Sequence, residues 1–222
     1  MTITQAARPS PRGERTRQAI LEAAEALFAE RGFAEARLED VAEAVGIRRA
    51  SIVYYFRDKR ELYDAVLEDV FSHLRERVEA GLLAPGPLAK RIPAAVGAWV
   101  DTVGERPSLA RLLLREVADA ARDRPPPLLD HIQPFFALAQ RVLAESAGDP
   151  LLTGARIDPV QVASTVAGAT VFFVAAMPAL IPGSGFDPLV KEQLAAHRAQ
   201  ILGITHRLLG IPEPNVPTGG TT

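Results

Sequence analysis

Apolar residues recur every three or four positions through most of this chain, and alternation at every second position is rare. A period near 3.6 lines such residues along one stripe of an α-helix, so the pattern predicts an all-α protein. The first stripe, Ile20, Leu21, Ala24, Leu27 and Phe28, predicts a helix over 13–31 that stops at Gly32, because glycine readily takes the conformation that ends helices. Short stripes follow over 38–45 and 49–55, with Gly46 between them. A longer one over 59–83 carries Leu62, Val66, Val70, Leu74 and Val78, and Pro85-Gly86-Pro87 breaks it. Further helices are expected near 88–104, 107–121, 127–147, 158–180 and 187–209, punctuated by Pro107, Pro125-Pro126-Pro127, Pro150, Pro159 and Pro182-Gly183. Proline is tolerated in the first turn of a helix, so Pro107 and Pro159 read as starts. About nine helices result.

Residues 38–56 carry the most specific pattern. Leu38, Val41, Ala42 and Val45 form one face of a short helix, Gly46 permits a left-handed turn, and Ile47 anchors that turn in the core. A second short helix follows, with Ile52 and Phe56 facing inward. Two short helices joined by a tight glycine-containing turn make a helix-turn-helix. The second has the length and bulk to enter the major groove of DNA.

The run Val41-Ala42-Glu43-Ala44-Val45-Gly46-Ile47, followed by Ala50-Ser51-Ile52-Val53-Tyr54-Tyr55-Phe56 and Lys59 to Leu62, resembles the DNA-binding motif of the TetR family, whose pattern is "IAxxAGV…GTLYYHF…KxxL". The preceding helix and the Arg31-Gly32-Phe33 that ends it match as well, so the resemblance covers about residues 13–65. It implies a three-helix DNA-binding head and a larger helical body that binds a ligand and dimerises. It implies that the hydroxyl of Ser51 meets a phosphate, and that Tyr54 and Tyr55 face backbone and base edges. Lys59, at the start of the fourth helix, is expected to act with the positive helix end on one phosphate. Arg49 and Ala50 stand at the end of the recognition helix that reaches bases, where an arginine can grip guanine O6 and N7 together. The sequence departs from the pattern twice. Val53 replaces a tyrosine and its hydroxyl, and Arg48 replaces a capping serine while adding a cation near DNA.

Charge follows this division. The first 60 residues carry 11 basic and 9 acidic side chains, the remainder 14 and 18. A slightly basic head on an acidic body fits a nucleic-acid-facing head. The chain has no cysteine, which excludes disulfides, thiolate catalysis, cysteine-based zinc sites and thiol redox sensing, and fits a cytoplasmic setting. The segment Met1 to Ser10 lacks the apolar core of a signal peptide. The expected organisation is a flexible 1–12, a helix-turn-helix domain over 13–60, a ligand-binding and dimerisation domain over 61–210, and a disordered Pro-, Gly- and Thr-rich tail over 211–222.

From Pro159 to Phe186 no residue is charged. The length suits a membrane span, but the run contains Gln161, Ser164, Thr165, Gly168 and Thr170 and lacks close basic flanks, so a helix buried between protein surfaces is expected instead. The TetR resemblance puts the penultimate and last helices in a four-helix dimer interface, for which Ser164, Gly168, Phe172, Leu194, Ile201 and Leu208 are the candidates. A twofold dimer would set two recognition helices roughly 34–36 Å apart or a little more, matching a palindromic operator. For the small-molecule pocket, apolar walls with sparse polar groups point to Trp99, His131, Phe135, Phe136, Thr170, Phe173 and Met177, although an aromatic at helical spacing is more often core.

No enzyme constellation emerges. His73, His131, His197 and His206 are scattered without the i, i+4 spacing of a helical zinc motif, and Gly183-Ser184-Gly185 lacks the spacing of a nucleophile elbow. No cofactor or metal is expected. The expected partners are an operator in double-stranded DNA, an unidentified small-molecule ligand and a second copy of the chain. The expected function is a transcriptional repressor released from its operator by that ligand; the alternative is a helical interaction protein that keeps the fold without binding DNA.

Overall fold

The structure, a computed structural model, describes residues 11–118, 128–146, 148–149 and 158–211. Every regular element among them is helical: α1 (Pro11–Glu35), α2 (Leu38–Val45), α3 (Arg49–Tyr55), α4 (Lys59–Leu82), α5 (Leu88–Glu105), α6 (Ser108–Ala118), α7 (Leu128–Glu145), α8 (159–180) and α9 (Lys191–Leu209). The chain separates into two compact units, Met1–Val70 and Phe71–Thr222, and the division falls within α4. The expected Pro125-Pro126-Pro127 break, the start of α7 at 127, the end of α6 at 121 and the tail from Pro212 lie outside the described residues.

In the first unit, α1 begins at Pro11, so Pro11 and Arg12 are helical rather than part of a loose N-terminus. The helix bends at Gly32, whose φ of 79° lies in the left-handed region. Ile20, Ala24 and Phe28 of α1, Val41 and Ala42 of α2, Ile52 of α3 and Leu62, Tyr63, Val66 and Leu67 of α4 are buried together. Phe28 meets Tyr63 edge-on with ring centres 4.8 Å apart. Gly46 ends α2 at φ 70°, and the amide of Ile47 donates back to the carbonyl of Ala42 at 2.9 Å. This closes the short αL turn that sets α3 against α2.

In the second unit, α5 and α9 pack face to face. Gly97 and Gly104 of α5 admit Arg198 and Leu194 of α9: a Cβ on Gly97 would lie 2.7 Å from the Arg198 guanidinium, and one on Gly104 would overlap the Leu194 side chain. The Arg198 Nε donates to Asp101 at 2.7 Å across the same contact. Leu88, Val96, Val100, Leu138, Val142, Val166, Ile201 and Leu209 form the core, with Trp99 packed against it. α8 starts at Pro159 behind the cap of Asp158, whose carboxylate accepts from the amide of Val160 at 2.8 Å. It widens into a π-helical turn over Phe172–Ala176 before Met177–Leu180. Pro178 has no amide proton to offer the carbonyl four residues back, and its ring would crowd that carbonyl in a regular helix. The π turn absorbs both effects. α9 begins at Lys191 rather than 187, because Asp187 caps a turn there instead, accepting from the amide of Leu189 at 2.9 Å.

Candidate nucleic-acid interface

α3 is a seven-residue helix with two unlike sides. Ile52 and the following Phe56 are buried, which fixes one side in the core. Arg49, Ala50, Val53 and Tyr54 lie on the other and are exposed, as are Arg48 before the helix and Arg57 after it. Tyr54 is 84% exposed and stands edge-on to the half-buried Tyr55, ring centres 5.1 Å apart. Ser51 is half-buried, and its amide donates to the carbonyl of Arg48 at 2.8 Å. Arg48 occupies the N-cap position without a side-chain cap. Six of the seven expected DNA-facing residues therefore sit on or beside this surface.

Lys59 does not. Its ammonium donates to the carbonyls of Phe33, Ala34 and Ala36 at 2.6, 3.2 and 3.1 Å and lies 4.5 Å from the centre of the Phe33 ring. An ammonium has three protons, and all three are committed inside the protein. A cation is disfavoured at a helix N-terminus and favoured beside the orphan carbonyls at a helix C-terminus. The side chain accordingly reaches from the start of α4 to the end of α1, and it is a clasp within the head rather than a phosphate contact.

The entry to α4 is capped independently. The Asp58 carboxylate accepts from the amide of Glu61 at 2.9 Å, and the Glu61 carboxylate accepts from the amide of Arg57 at 2.9 Å. The Glu61 amide, with help from Arg57, holds the Asp58 carboxyl below its usual range. Two acidic residues of α2 are also partnered. Asp40 accepts from Arg31 at 2.7 Å, and Glu39 pairs with Arg49 at 2.7 Å.

Sequence reasoning passed over Val53 as a site residue because it registered only the lost tyrosine. It is 43% exposed on the same side as Arg49 and Tyr54. The signal is its spacing, about one turn after Arg49 and Ala50.

Among the expected pocket residues, Thr170 and Phe173 come together around His197: its ring stacks on Phe173 with centres 4.0 Å apart, and its Nε2 lies 3.3 Å from the Thr170 hydroxyl. Phe186 meets Phe173 edge-on. Burial pushes the His197 pKa below its ordinary value. His131 stacks on Phe71 at 5.7 Å. Phe135, Phe136 and Met177 are half-buried. The indole N–H of Trp99 is shut off from solvent and finds no acceptor among the described residues.

The expected dimer residues divide in two. Ser164, Gly168, Phe172 and Leu208 are exposed. Ile201 is only 2% exposed and belongs to the core of its own chain, and Leu194 packs over Gly104. Ile201 therefore offers no surface to a partner, whereas Leu194 is half-buried, with its side chain turned to α5.

Comparison with known proteins agrees with this geometry. Residues 20–66 match the family model described as bacterial regulatory proteins, tetR family. A transcriptional regulator of the TetR/AcrR family from Thermobifida fusca is 22% identical with a TM-score of 0.58, over 91% of this chain and 100% of that one. FadR from Bacillus subtilis, solved in complex with stearoyl-CoA, is 14% identical with a TM-score of 0.64, over 88% and 99%. The ketosteroid transcriptional regulator KstR2 of Mycobacterium tuberculosis is 20% identical with a TM-score of 0.64, over 88% and 97%. With α3 presented outward, residues 20–66 form a head that matches the tetR family model, and the chain as a whole shares the fold of those regulators.

Proposed function

We propose that this protein is a homodimeric repressor that leaves a palindromic operator when a hydrophobic small molecule enters its body. The observation that carries the DNA side of this reading is the outward face of α3, where Arg49, Ala50, Val53 and Tyr54 project while Ile52 and Phe56 hold the helix from beneath. Arg48 and Arg49 meet bases and phosphates at the N-terminal end of α3, Ser51 a phosphate, and Tyr54 and Tyr55 the backbone or base edges.

Dimerisation rests on α8. Its 160–180 run is apolar and long enough to cross a bilayer, yet only 22% of its most apolar stretch is buried within the chain. Exposed Val160, Ser164, Gly168 and Phe172 lie along one stripe of it. An apolar stripe of this size calls for cover. A second α8 supplies it in self-complementary fashion, with Ser164 and Gly168 allowing close approach.

The ligand reading draws on the apolar body, on the buried indole N–H of Trp99 that finds no acceptor among the described residues, on a neighbour solved in complex with stearoyl-CoA and on another called a ketosteroid transcriptional regulator. A ligand that prefers one arrangement of the dimer lowers DNA affinity by its differential affinity for the two states. α4 contributes to both units and is the element through which that preference reaches the head.

Selection of bound DNA from a random pool tests the reading. A palindrome whose affinity falls steeply with salt is expected. Absence of any retained DNA at low salt would leave the helical interaction protein as the reading. The chain has one tryptophan, so its fluorescence reports on the ligand. Stearoyl-CoA and a ketosteroid are the first probes, with a saturable signal and release of operator DNA as the expected pair of results.

A further inference from the structure

Arg49 is the first residue of α3, and its Nε lies 2.7 Å from the Glu39 carboxylate, with the two side chains 61% and 60% exposed. The pairing is unusual in what it places where. A carboxylate on a surface that meets DNA repels phosphates. A cation at a helix N-terminus opposes the helix dipole, and α3 has no acidic residue in its first turn to offset it. Each group answers the problem of the other, and Glu39 gains further from its place in the first turn of α2.

An exposed pair of this kind contributes little to folding. Its consequence is orientation. An arginine side chain has many rotamers, and fixing one on binding costs affinity. Glu39 meets the planar guanidinium at Nε, on its side edge, and the fork formed by Nη1 and Nη2 is a separate edge with its own donors. That fork matches guanine O6 and N7 in the major groove. Ala50 beside Arg49 carries only a methyl group and leaves the approach open. When DNA covers the pair and water leaves, the attraction between carboxylate and guanidinium strengthens.

Resting on the DNA-binding function given above, we infer that Glu39 is a specificity-positioning residue: it holds Arg49 in the one orientation that reads a guanine in each half-site of the operator. Glu39 touches no base. Its contribution is to make the wrong base unacceptable, by denying Arg49 the alternative rotamers that would accommodate one.

The test compares wild type, Glu39→Gln, Arg49→Ala and the double variant. Each is measured against the selected operator and against operators altered at the guanine that Arg49→Ala ceases to prefer. Glutamine keeps the shape of Glu39 and removes its charge, at a site exposed enough to leave the fold intact. Discrimination by Glu39→Gln at that one position is expected to fall about tenfold, within the range of a bidentate contact. Preferences elsewhere in the operator should be unchanged, and the double variant should be no less selective than Arg49→Ala. If Glu39→Gln keeps the guanine preference and tightens binding to every sequence alike, Glu39 only repels DNA and the inference is overturned. A wild type that prefers no sequence would overturn the functional reading itself, a result distinct from a selective wild type with an equally selective Glu39→Gln.

Discussion

Two residues that a sequence motif treats alike, Tyr54 and Lys59, do opposite things. Tyr54 is 84% exposed, and its ring contact is with the neighbouring Tyr55 of the same helix rather than with the core. Tyr54→Ala should therefore leave stability within about 0.5 kcal/mol of wild type while weakening operator binding, which a denaturant melt and a mobility-shift titration on one preparation will separate. Lys59 ties three carbonyls of the α1 terminus to the start of α4. Removing a charged donor shared among them should cost about 2 kcal/mol. Lys59→Met is thus expected to lower the melting temperature while leaving the slope of log affinity against log salt unchanged. A slope smaller by about one would mean that the ammonium does meet a phosphate. Motif position revealed that both residues matter to a head of this kind. It did not reveal which faces outward, because that depends on carbonyls more than twenty residues away in sequence.

At the scale of elements, the boundaries of α2, α3 and α5 were legible to within a residue, since Gly46 and Pro85-Gly86-Pro87 are local signals whose effect needs no tertiary context. The caps at Asp58 and Asp158 and the π turn before Pro178 were not recognised, although their residues stand in plain view. The Asp58 cap makes a prediction with a definite sign. Its carboxyl is held below the ordinary aspartate value in the folded protein, chiefly because it accepts from the Glu61 amide. The contribution is then fully present above the unfolded value and is lost as pH falls through the folded one. Asp58→Asn should remove that part of the acid sensitivity, seen as a flatter dependence of the urea midpoint as pH falls through and below the ordinary aspartate range; an unchanged profile would show that other carboxyls govern it.

For the whole molecule, the decisive surface is the uncharged stripe of α8. If a second copy covers Val160, Ser164, Gly168 and Phe172, a charge placed in the middle of the stripe must be desolvated without a partner. Phe172→Glu should yield monomers in sedimentation at micromolar concentration and lose tight binding to the palindrome, while keeping weak, salt-sensitive binding to a single half-site. A variant that remains dimeric would move the interface elsewhere. The same comparison separates assembly from recognition, because Phe172 lies outside the head that matches the tetR family model.

The sequence by itself determined the helical class, the order and approximate bounds of the helices, and the helix-turn-helix. These follow from short-range periodicity and from glycine and proline, whose preferences act within a few residues. Tertiary structure alone decided that Lys59 is consumed as a clasp, that Ile201 belongs to the core, that Leu194 packs over Gly104, that Val53 joins the exposed face of α3 and that Glu39 stands against Arg49. Each of these is a meeting of side chains or backbone on separate helices. No local pattern encodes such meetings, because they depend on how closely α1, α2, α5 and α9 approach the elements they pack against.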